Sequence, residues 1–286
     1  MDDQNLESID DGLPIRDAGE WVENKLYFLS RYLHRFIVSM RGQKWRSINY
    51  IDLFSGPGKN RLPNGKTLHG SPLIAISQAK SFDKYFFSDI DPENIETLKK
   101  RCANSPEYSR ISFRVGDAGA IIEDVAKIIE KENRIYRPGI WPSLNLAFLD
   151  PHGMELGWQT VERLAQLRTD MIIYYSQMGI TREAPREINM PSPTPIDNFF
   201  GDTRWRDIYR QHQAGGVSLH RPLLDYYKSK LKAFGYQVDD PLDEPVFKNS
   251  KDAPLYRLLF VCKSSLGNKF WKDVTSKMAD GQMRML

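Results

Sequence analysis

Short apolar runs recur through the first two thirds of the chain, and most of them end within two residues of a glycine or an aspartate. Those that predict buried strands span residues 48–54, 84–87, 111–115, 144–149 and 171–175. The segments between them carry the periodicity of amphipathic helices. Because strand and helix alternate in this order, the pattern predicts an α/β protein with a mostly parallel sheet and helices on both faces.

A helical pattern also precedes the first strand. From Trp21, apolar residues recur in alternating steps of four and three, which predicts an amphipathic helix. The basic residues on its other side are Lys25, Arg31, Arg35 and Arg41. Such a stripe is either a solvated face or a nucleic-acid contact, and the sequence favours the solvated face. We expect residues 1–46 to form a loose lead-in followed by this helix, and residues 47–286 to form the main domain.

The first strand runs into a tight turn, Ser55-Gly56-Pro57-Gly58, directly after Phe54. Gly56 and Gly58 lack the Cβ atoms that keep a backbone away from a ligand. Asp52 at the strand end would repel a pyrophosphate but can hold an amino group. No third glycine follows at the dinucleotide spacing. The turn therefore favours S-adenosylmethionine over a dinucleotide, with an ordinary glycine turn as the alternative.

Aspartates also follow the next strands. Asp89 ends the second strand, where an acid accepts hydrogen bonds from ribose hydroxyls. Asp117 follows the third strand and either accepts the adenine amine or caps the next helix, two interpretations of equal weight. Asp91 is better explained as the N-cap of a helix beginning at Pro92. Since parallel strands end at the same edge of a sheet, these acids and Asp150 are expected to converge on one ligand site.

The polar segment 59–69 delays the first helix after the glycine turn. Ser71 is a suitable N-cap for that helix, and Pro72 fits its first position. The length of the segment makes it a candidate lid, with a variable surface loop as the alternative.

Asp150, Pro151 and His152 form the candidate reaction centre. Methyl transfer to an amine requires that the nitrogen lone pair be oriented toward the methyl group. A strand-end aspartate and a backbone carbonyl can accept the two amine hydrogens. Pro151 stiffens the backbone, and His152 offers a planar face or a proton acceptor. Amine methyltransferases usually carry Asp-Pro-Pro-aromatic here, so His152 and Gly153 depart from that form.

The regular alternation lapses beyond Ser176, over a proline- and charge-rich stretch at 181–195. Segment 197–212 mixes aromatic residues with arginines, which either bind nucleic acid or build a small helical insertion at about 177–220. The sequence slightly favours the insertion. The remaining predicted elements are a helix at 222–234, strands around Val246 and at 255–262, and a helix at 267–278. They would complete a seven-stranded sheet.

Composition adds few constraints. The chain has 286 residues, of which 41% are hydrophobic, enough for a large core, and a net charge of +3 that does not require nucleic acid. Cys102 and Cys262 are predicted to be buried thiols, since their spacing fits neither a disulfide framework nor a zinc site. No metal is expected. Without an apolar span or a signal-peptide pattern, a cytoplasmic location is expected.

Several separated motifs resemble one family. They are DLFSGPG at 52–58, GSPL at 70–73, FLDPHG at 148–153, LYRL at 255–258 and GNKFW at 267–271. In this combination the chain resembles the three-Cys-motif partner protein (TcmP) family. The resemblance implies a Rossmann-like S-adenosylmethionine methyltransferase fold. It also implies a partner protein with three cysteines, similar to a radical S-adenosylmethionine protein, but no particular substrate.

Two functions from different classes follow. The first is an S-adenosylmethionine-dependent methyltransferase acting on an amine of an RNA or DNA base, with Asp150 at the acceptor. Its cofactor residues would be Asp52, Phe54, Gly56, Gly58, Asp89 and Asp117. The alternative is a non-catalytic or cofactor-binding subunit of the three-cysteine partner. A Pro-Cys nucleophile for cytosine C5 methylation is absent from the sequence.

Overall fold

A computed structural model describes residues 6–135, 137–213, 220–238, 244–248 and 253–284. The helices are α1 (Trp21–Arg41), α2 (Ser71–Ile76), α3 (Pro92–Cys102), α4 (Ala118–Asn133), α5 (Trp158–Gln166), α6 (Gln177–Glu187), α7 (Pro195–Phe200), α8 (Arg204–Gln213), α9 (His220–Ala233) and α10 (Ser265–Thr275). The strands are β1 (Glu7–Ser8), β2 (Arg16–Asp17), β3 (Ile48–Asp52), β4 (Lys59–Arg61), β5 (Thr67–His69), β6 (Lys84–Asp89), β7 (Ile111–Val115), β8 (Leu144–Leu149), β9 (Thr169–Tyr175), β10 (Val246–Lys248) and β11 (Pro254–Val261).

Seven strands form the main sheet in the order β10-β11-β9-β8-β3-β6-β7. The pairs from β9 through β7 are parallel. Only β11 runs against the others, since it pairs antiparallel with both β9 and β10. This arrangement confirms the predicted fold, a Rossmann-like methyltransferase fold with a mostly parallel seven-stranded sheet. It places the ends of β3, β6, β7 and β8 side by side at one edge.

Both faces of the sheet are covered. Successive side chains of a strand point to opposite faces. In β3, Tyr50 packs into the core cluster that contains the α1 residues, whereas Ile51 packs into the cluster that contains the α4 and α5 residues. Every residue of β3 and β8 is buried. Burial on two faces explains why these strands are continuous apolar runs rather than alternating ones.

The predicted N-terminal helix is present as α1. Its apolar stripe, which includes Leu26, Leu29 and Leu33, is buried. The interpretation of the basic stripe as a solvated face is wrong for Lys25, which is only 8% exposed. Lys25 lies three residues after Val22 and four before Leu29, so helical spacing turns it toward the protein interior.

The first residues do not form a loose lead-in, and segment 59–69 does not form an unstructured loop. Residues 6–19, the N-terminal strap, contribute β1 and β2 to a small sheet with the order β1-β5-β4-β2. Charge complementarity explains the pairing. Acids of the strap meet bases of the hairpin in the pairs Asp11–Lys59, Asp10–Arg61 and Glu7–Lys66. The segment predicted as a lid is therefore a hairpin that holds the strap.

Two helix starts test the predicted caps. The N-cap of α2 is Gly70 rather than Ser71, which is already the first helical residue. Asp91 is confirmed as the N-cap of α3, because its Oδ1 accepts a hydrogen bond from the Glu93 N–H at 2.8 Å.

The stretch at 181–195 is more regular than predicted, since α6 runs through Pro185. The N-cap Ser176 accepts a hydrogen bond from the Gly179 N–H and starts this helix. In the segment 197–212, the aromatic rings of Phe199, Phe200 and Trp205 are 0% exposed. These rings are core residues of a helical insertion, the interpretation that the sequence favours over base stacking.

Both thiols are buried and free, as predicted for Cys102 and Cys262. Within the described ranges, no helix is both long and apolar enough to cross a bilayer.

Candidate active site

A cavity of about 240 Å³ lies at the edge where the parallel strands end. Its walls are the N-terminal strap, the first turn of α1, the glycine turn after β3, the loop after β8, and strands β9 and β11. The residues that define its chemistry are Arg16, Lys25, Gly56, Asp150, Tyr174 and Tyr256. The strand order thus brings the glycine turn and Asp150 to one cavity, as the sequence predicts. Asp52, Asp89 and Asp117, which the sequence also predicts to converge there, are not among the residues that line it.

Asp150 directly follows β8 and pairs with Lys25. The Lys25 Nζ donates to Asp150 Oδ2 at 2.5 Å, and the two side chains are 9% and 14% exposed. At this burial the pair is weakly screened and fixes the orientation of the carboxylate. Among the described residues, no donor engages Asp150 Oδ1. The carboxylate therefore keeps one oxygen for a ligand.

Aromatic rings stack beside this pair. The ring centroids of Tyr174 and Tyr256 are 4.4 Å apart, and those of Tyr256 and Phe247 are 4.6 Å apart at an interplanar angle of 10°. Burial, followed by the charge of Asp150, raises the pKa of Tyr174 to about 12 and that of Tyr256 well above its usual value. Both phenols stay neutral near pH 7. An aromatic surface is therefore present next to Asp150, although it comes from β9 and β11 rather than from residue 152.

Pro151 and His152 also line the cavity. Pro151 is buried, whereas His152 is exposed. Desolvation, followed by the nearby charge of Arg16, lowers the pKa of His152, so its imidazole is neutral at pH 7. A neutral ring fits either predicted role, a planar face or a proton acceptor, and these roles stay predictions.

The glycine turn needs its glycines. Gly56 and Gly58 have φ angles of 58° and 91°, a region that side-chain-bearing residues rarely adopt. A Cβ at Gly56 would lie 2.9 Å from a guanidinium nitrogen of Arg16, and one at Gly58 would lie 2.8 Å from Leu98 Cδ1. Phe54, half-buried, lines the cavity just before the turn. The turn can therefore keep this conformation and this packing against Arg16 and Leu98 only with glycine at both positions.

Asp89 is 7% exposed and already accepts several hydrogen bonds. The Gly56 N–H donates to its Oδ2 at 2.9 Å. The Asp91 N–H and the Asn94 amide donate to its Oδ1 at 3.0 and 3.1 Å. The guanidinium of Arg16 lies 3.8 Å from Oδ2. The acid predicted to hold the ribose is thus rigidly placed, with Oδ2 turned toward the strap.

Asp52 lies beneath the cavity rather than in its wall. It is 0% exposed and accepts a hydrogen bond from the Phe54 N–H at 3.3 Å. Burial raises the pKa of Asp52 to about 7, against a hydrogen bond from Ser71 that lowers it. Its predicted contact with an amino group stays a prediction.

Asp117 serves as the N-cap of α4, since its Oδ1 accepts hydrogen bonds from the Gly119 and Ala120 N–H groups at 2.9 and 3.2 Å. It lines a separate cleft of about 780 Å³ together with Glu155 and Trp158. The geometry supports the cap interpretation, and the adenine contact stays a prediction.

Four residues of the cavity were missed by the sequence analysis. The sequence did indicate that Lys25 is buried, because its helical spacing puts it on the buried stripe of α1. The indication for Tyr174 and Tyr256 was weaker: they are aromatic residues in predicted strands, but the sequence does not show which strands pair. Nothing in the sequence indicated that Arg16 lies at the cavity, since its position depends on the pairing of β2 with β4.

No family model matches the chain, and no curated protein matches it in sequence. The fold is similar to that of the protein LPL1258 from Legionella pneumophila, of family model DUF519, with a TM-score of 0.49, 11% identity, and coverage of 93% of this chain and 96% of that one. It is also similar to an O-methyltransferase from Bacillus cereus in complex with SAH, with a TM-score of 0.45, 14% identity, and coverage of 88% and 85%. For TomG, an O-methyltransferase from Streptomyces achromogenes involved in tomaymycin synthesis and solved in complex with SAM, the TM-score is 0.42, the identity 12%, and the coverage 84% and 80%.

Sequence identities this low bear only on the fold. The class of fold is defined by the order and direction of the seven strands, which are those of a Rossmann-like methyltransferase. The fold does not determine what the cavity binds; that depends on the residues that line it.

Proposed function

We propose that the protein is an S-adenosylmethionine-dependent methyltransferase that modifies an amine of a nucleic-acid base. The observation that carries the proposal is the position of Asp150. Asp150, whose Oδ1 has no donor among the described residues, lines one cavity together with the glycine turn and Tyr174. An acceptor group and a methyl donor would meet at that place.

The residues around the glycine turn fit the cofactor. Gly56 and Gly58 open the backbone to close approach, and Asp89 offers an acceptor to a ribose hydroxyl. Asp52 would lie by the amino-acid end, while Asp117 would act at the adenine only if the cofactor reaches the neighbouring cleft. The bound cofactor supplies an electrophilic methyl group on a sulfonium. The protein therefore needs mainly to orient the acceptor.

Asp150 would orient the acceptor amine. Its Oδ1 accepts an amine hydrogen, while Lys25 holds Oδ2 and prevents the carboxylate from turning. This arrangement leaves the nitrogen lone pair free to point toward the methyl group. The face of Tyr174 would hold the planar ring that carries the amine, as aromatic residues hold unstacked bases. The neutral His152 would take up the proton that the methylated nitrogen loses.

The test separates binding from transfer. Purified protein is titrated with S-adenosylmethionine and S-adenosylhomocysteine by calorimetry, and methyl transfer from labelled cofactor into RNA and DNA is then measured. Asp150→Asn keeps the shape of the side chain, so we expect it to retain cofactor affinity within about threefold and to lose transfer. Transfer that survives in Asp150→Asn would exclude this role. Absence of cofactor binding by the folded wild type would exclude the function.

A second candidate function is a cofactor-binding subunit that requires a three-cysteine partner. The observation that favours it is the size of the cavity, about 240 Å³, which is below the usual range for small-molecule sites of about 300 Å³ or more. A partner that moves the strap would complete such a site. This candidate predicts that the isolated chain binds cofactor only weakly and transfers no methyl groups, and that the purified partner restores both binding and transfer.

A further inference from the structure

We propose that Arg16 is a displaceable occupant of the cofactor site, an autoinhibitory contact that the cofactor must replace in order to bind. The N-terminal strap holds the Arg16 guanidinium beside both Gly56 and Asp89, where the ribose is expected. The inference rests on the proposed function, because it concerns the same cofactor.

Asp89 can accept one more hydrogen bond than it does among the described residues. An ionised carboxylate has about four acceptor positions. Three are filled at hydrogen-bond distance by the Gly56 N–H, the Asp91 N–H and the Asn94 amide. The charge facing the remaining position at Oδ2 is the Arg16 guanidinium, at 3.8 Å. A ribose hydroxyl that binds Asp89 would therefore take the position that Arg16 faces.

The Arg16 side chain also fills the space next to Gly56. An added Cβ at Gly56 would meet three guanidinium atoms of Arg16, the nearest at 2.9 Å and the others at 3.0 and 3.4 Å. The glycine that admits a ligand is thus covered by a side chain of the protein itself. Displacing that side chain would enlarge a cavity of about 240 Å³.

The strap is held in place by contacts that do not involve the Arg16 side chain. Its Asp11 pairs with Lys59 at 2.8 Å and with Arg101 at 2.7 Å, and Arg101 also donates to the Pro14 carbonyl at 2.8 Å. These contacts are shorter than the 3.8 Å between Arg16 and Asp89. The side chain of Arg16 is 21% exposed and has solvent on one side. The strap can therefore stay in place while the Arg16 side chain swings out.

Two roles of Arg16 predict opposite effects. If Arg16 occupies the site, its removal strengthens binding of any ligand with a ribose. If Arg16 instead binds the carboxylate of the cofactor, its removal weakens binding of S-adenosylhomocysteine and leaves adenosine, which has no carboxylate, unaffected.

The experiment titrates wild type, Arg16→Ala and Arg61→Ala with adenosine and with S-adenosylhomocysteine by calorimetry. Arg61 is the matched control, since it pairs with Asp10 of the same strap on the exposed surface. We expect Arg16→Ala to bind both ligands about two- to fivefold more tightly, the range of a partly exposed ion pair. Arg61→Ala should match the wild type. Thermal melting checks that each variant is folded.

Ionic strength provides a second readout. Because the Arg16 side chain is 21% exposed and Asp89 is buried, raising the salt concentration should narrow the difference in affinity between the wild type and Arg16→Ala only in part. Equal affinities of wild type and Arg16→Ala at low salt would overturn the inference and leave the proposed function standing, as would selective weakening of S-adenosylhomocysteine. Failure of every folded variant to bind either ligand would overturn the proposed function and, with it, this inference.

Discussion

The ammonium of Lys25 lies 2.5 Å from the carboxylate of Asp150, across 125 residues of sequence. The contact joins the first helix to the loop after β8 in the interior of the cavity. It couples two parts of the fold that the strand pattern alone does not relate. It also means that the charge of the central acid is balanced before any ligand arrives.

Lys25→Met should destabilise the protein by about 3 kcal/mol, because it leaves a poorly solvated carboxylate without its partner. Arg35→Met is the control on the same helix. Arg35 pairs with Asp273, with side chains 27% and 46% exposed, and its loss should cost less than about 1 kcal/mol. Urea unfolding gives both values. If adding Asp150→Asn to Lys25→Met recovers none of the loss, the buried pair is not its cause.

Gly56→Ala should cost about 1 kcal/mol from backbone strain and should also reduce affinity for S-adenosylhomocysteine. Gly65→Ala separates the two effects. Gly65 has a φ of 83°, and no atom lies within 4 Å of the place that a Cβ would take, so a side chain there causes strain without crowding a ligand. Calorimetry and urea unfolding on both variants check the expectation. Equal affinities of the two variants would contradict close approach at Gly56.

Asp52 should make the protein less stable as the pH rises from about 4 to about 7. Its pKa is about 7 in the folded protein against 3.8 as the ordinary value, so the folded state binds a proton in this range that the unfolded state has released. The free energy of unfolding then falls by up to about 1.4 kcal/mol per pH unit. Asp52→Asn should flatten that slope in urea unfolding at several pH values.

Asp170 offers the control for this measurement. Burial also raises its pKa to about 7, but it lies in β9 near the opposite edge of the sheet. Asp170→Asn should flatten the same slope while leaving affinity for S-adenosylhomocysteine unchanged. An unaltered slope in Asp52→Asn would show that Asp52 is ionised throughout the range.

Tyr174→Leu should raise the KM for a nucleic-acid acceptor by about 5- to 100-fold, the effect of losing one stacked base, with a smaller change in kcat. Tyr174→Phe keeps the ring and should behave like the wild type. Steady-state kinetics on the RNA or DNA that accepts label provide the measurement. A similar KM in Tyr174→Leu and Tyr174→Phe would indicate an acceptor that does not stack on this residue.

The parts of the site that follow a strand could be predicted from the sequence. Gly56, Asp89 and Asp150 each stand where an apolar run stops, and parallel pairing gathers such positions at one edge. That rule uses only local pattern and the direction of the strands. It needs no knowledge of which side chains touch.

The rest of the site depends on contacts between distant segments. Tyr256 reaches Asp150 because β11 enters the sheet antiparallel to β9, which no local pattern specifies. Arg16 reaches Asp89 because β2 pairs with β4. The sequence predicts a loose strap because its strands have two residues each, too few for a periodic signal. Complementary charges on separate segments help to hold it, together with strand pairing and the packing of Leu6 and Ala18 on the core.

The packing of α10 on α1 ties the two ends of the described chain together. Asn24 accepts a hydrogen bond from the Ala279 N–H at 2.8 Å, one residue before the lysine that pairs with Asp150. During synthesis, α1 therefore leaves the ribosome long before the helix that seats it. The part of α1 that faces α10 must stay uncovered while the central strands assemble against the rest of the helix, and a nascent chain halted before residue 265 should expose that part to chaperones.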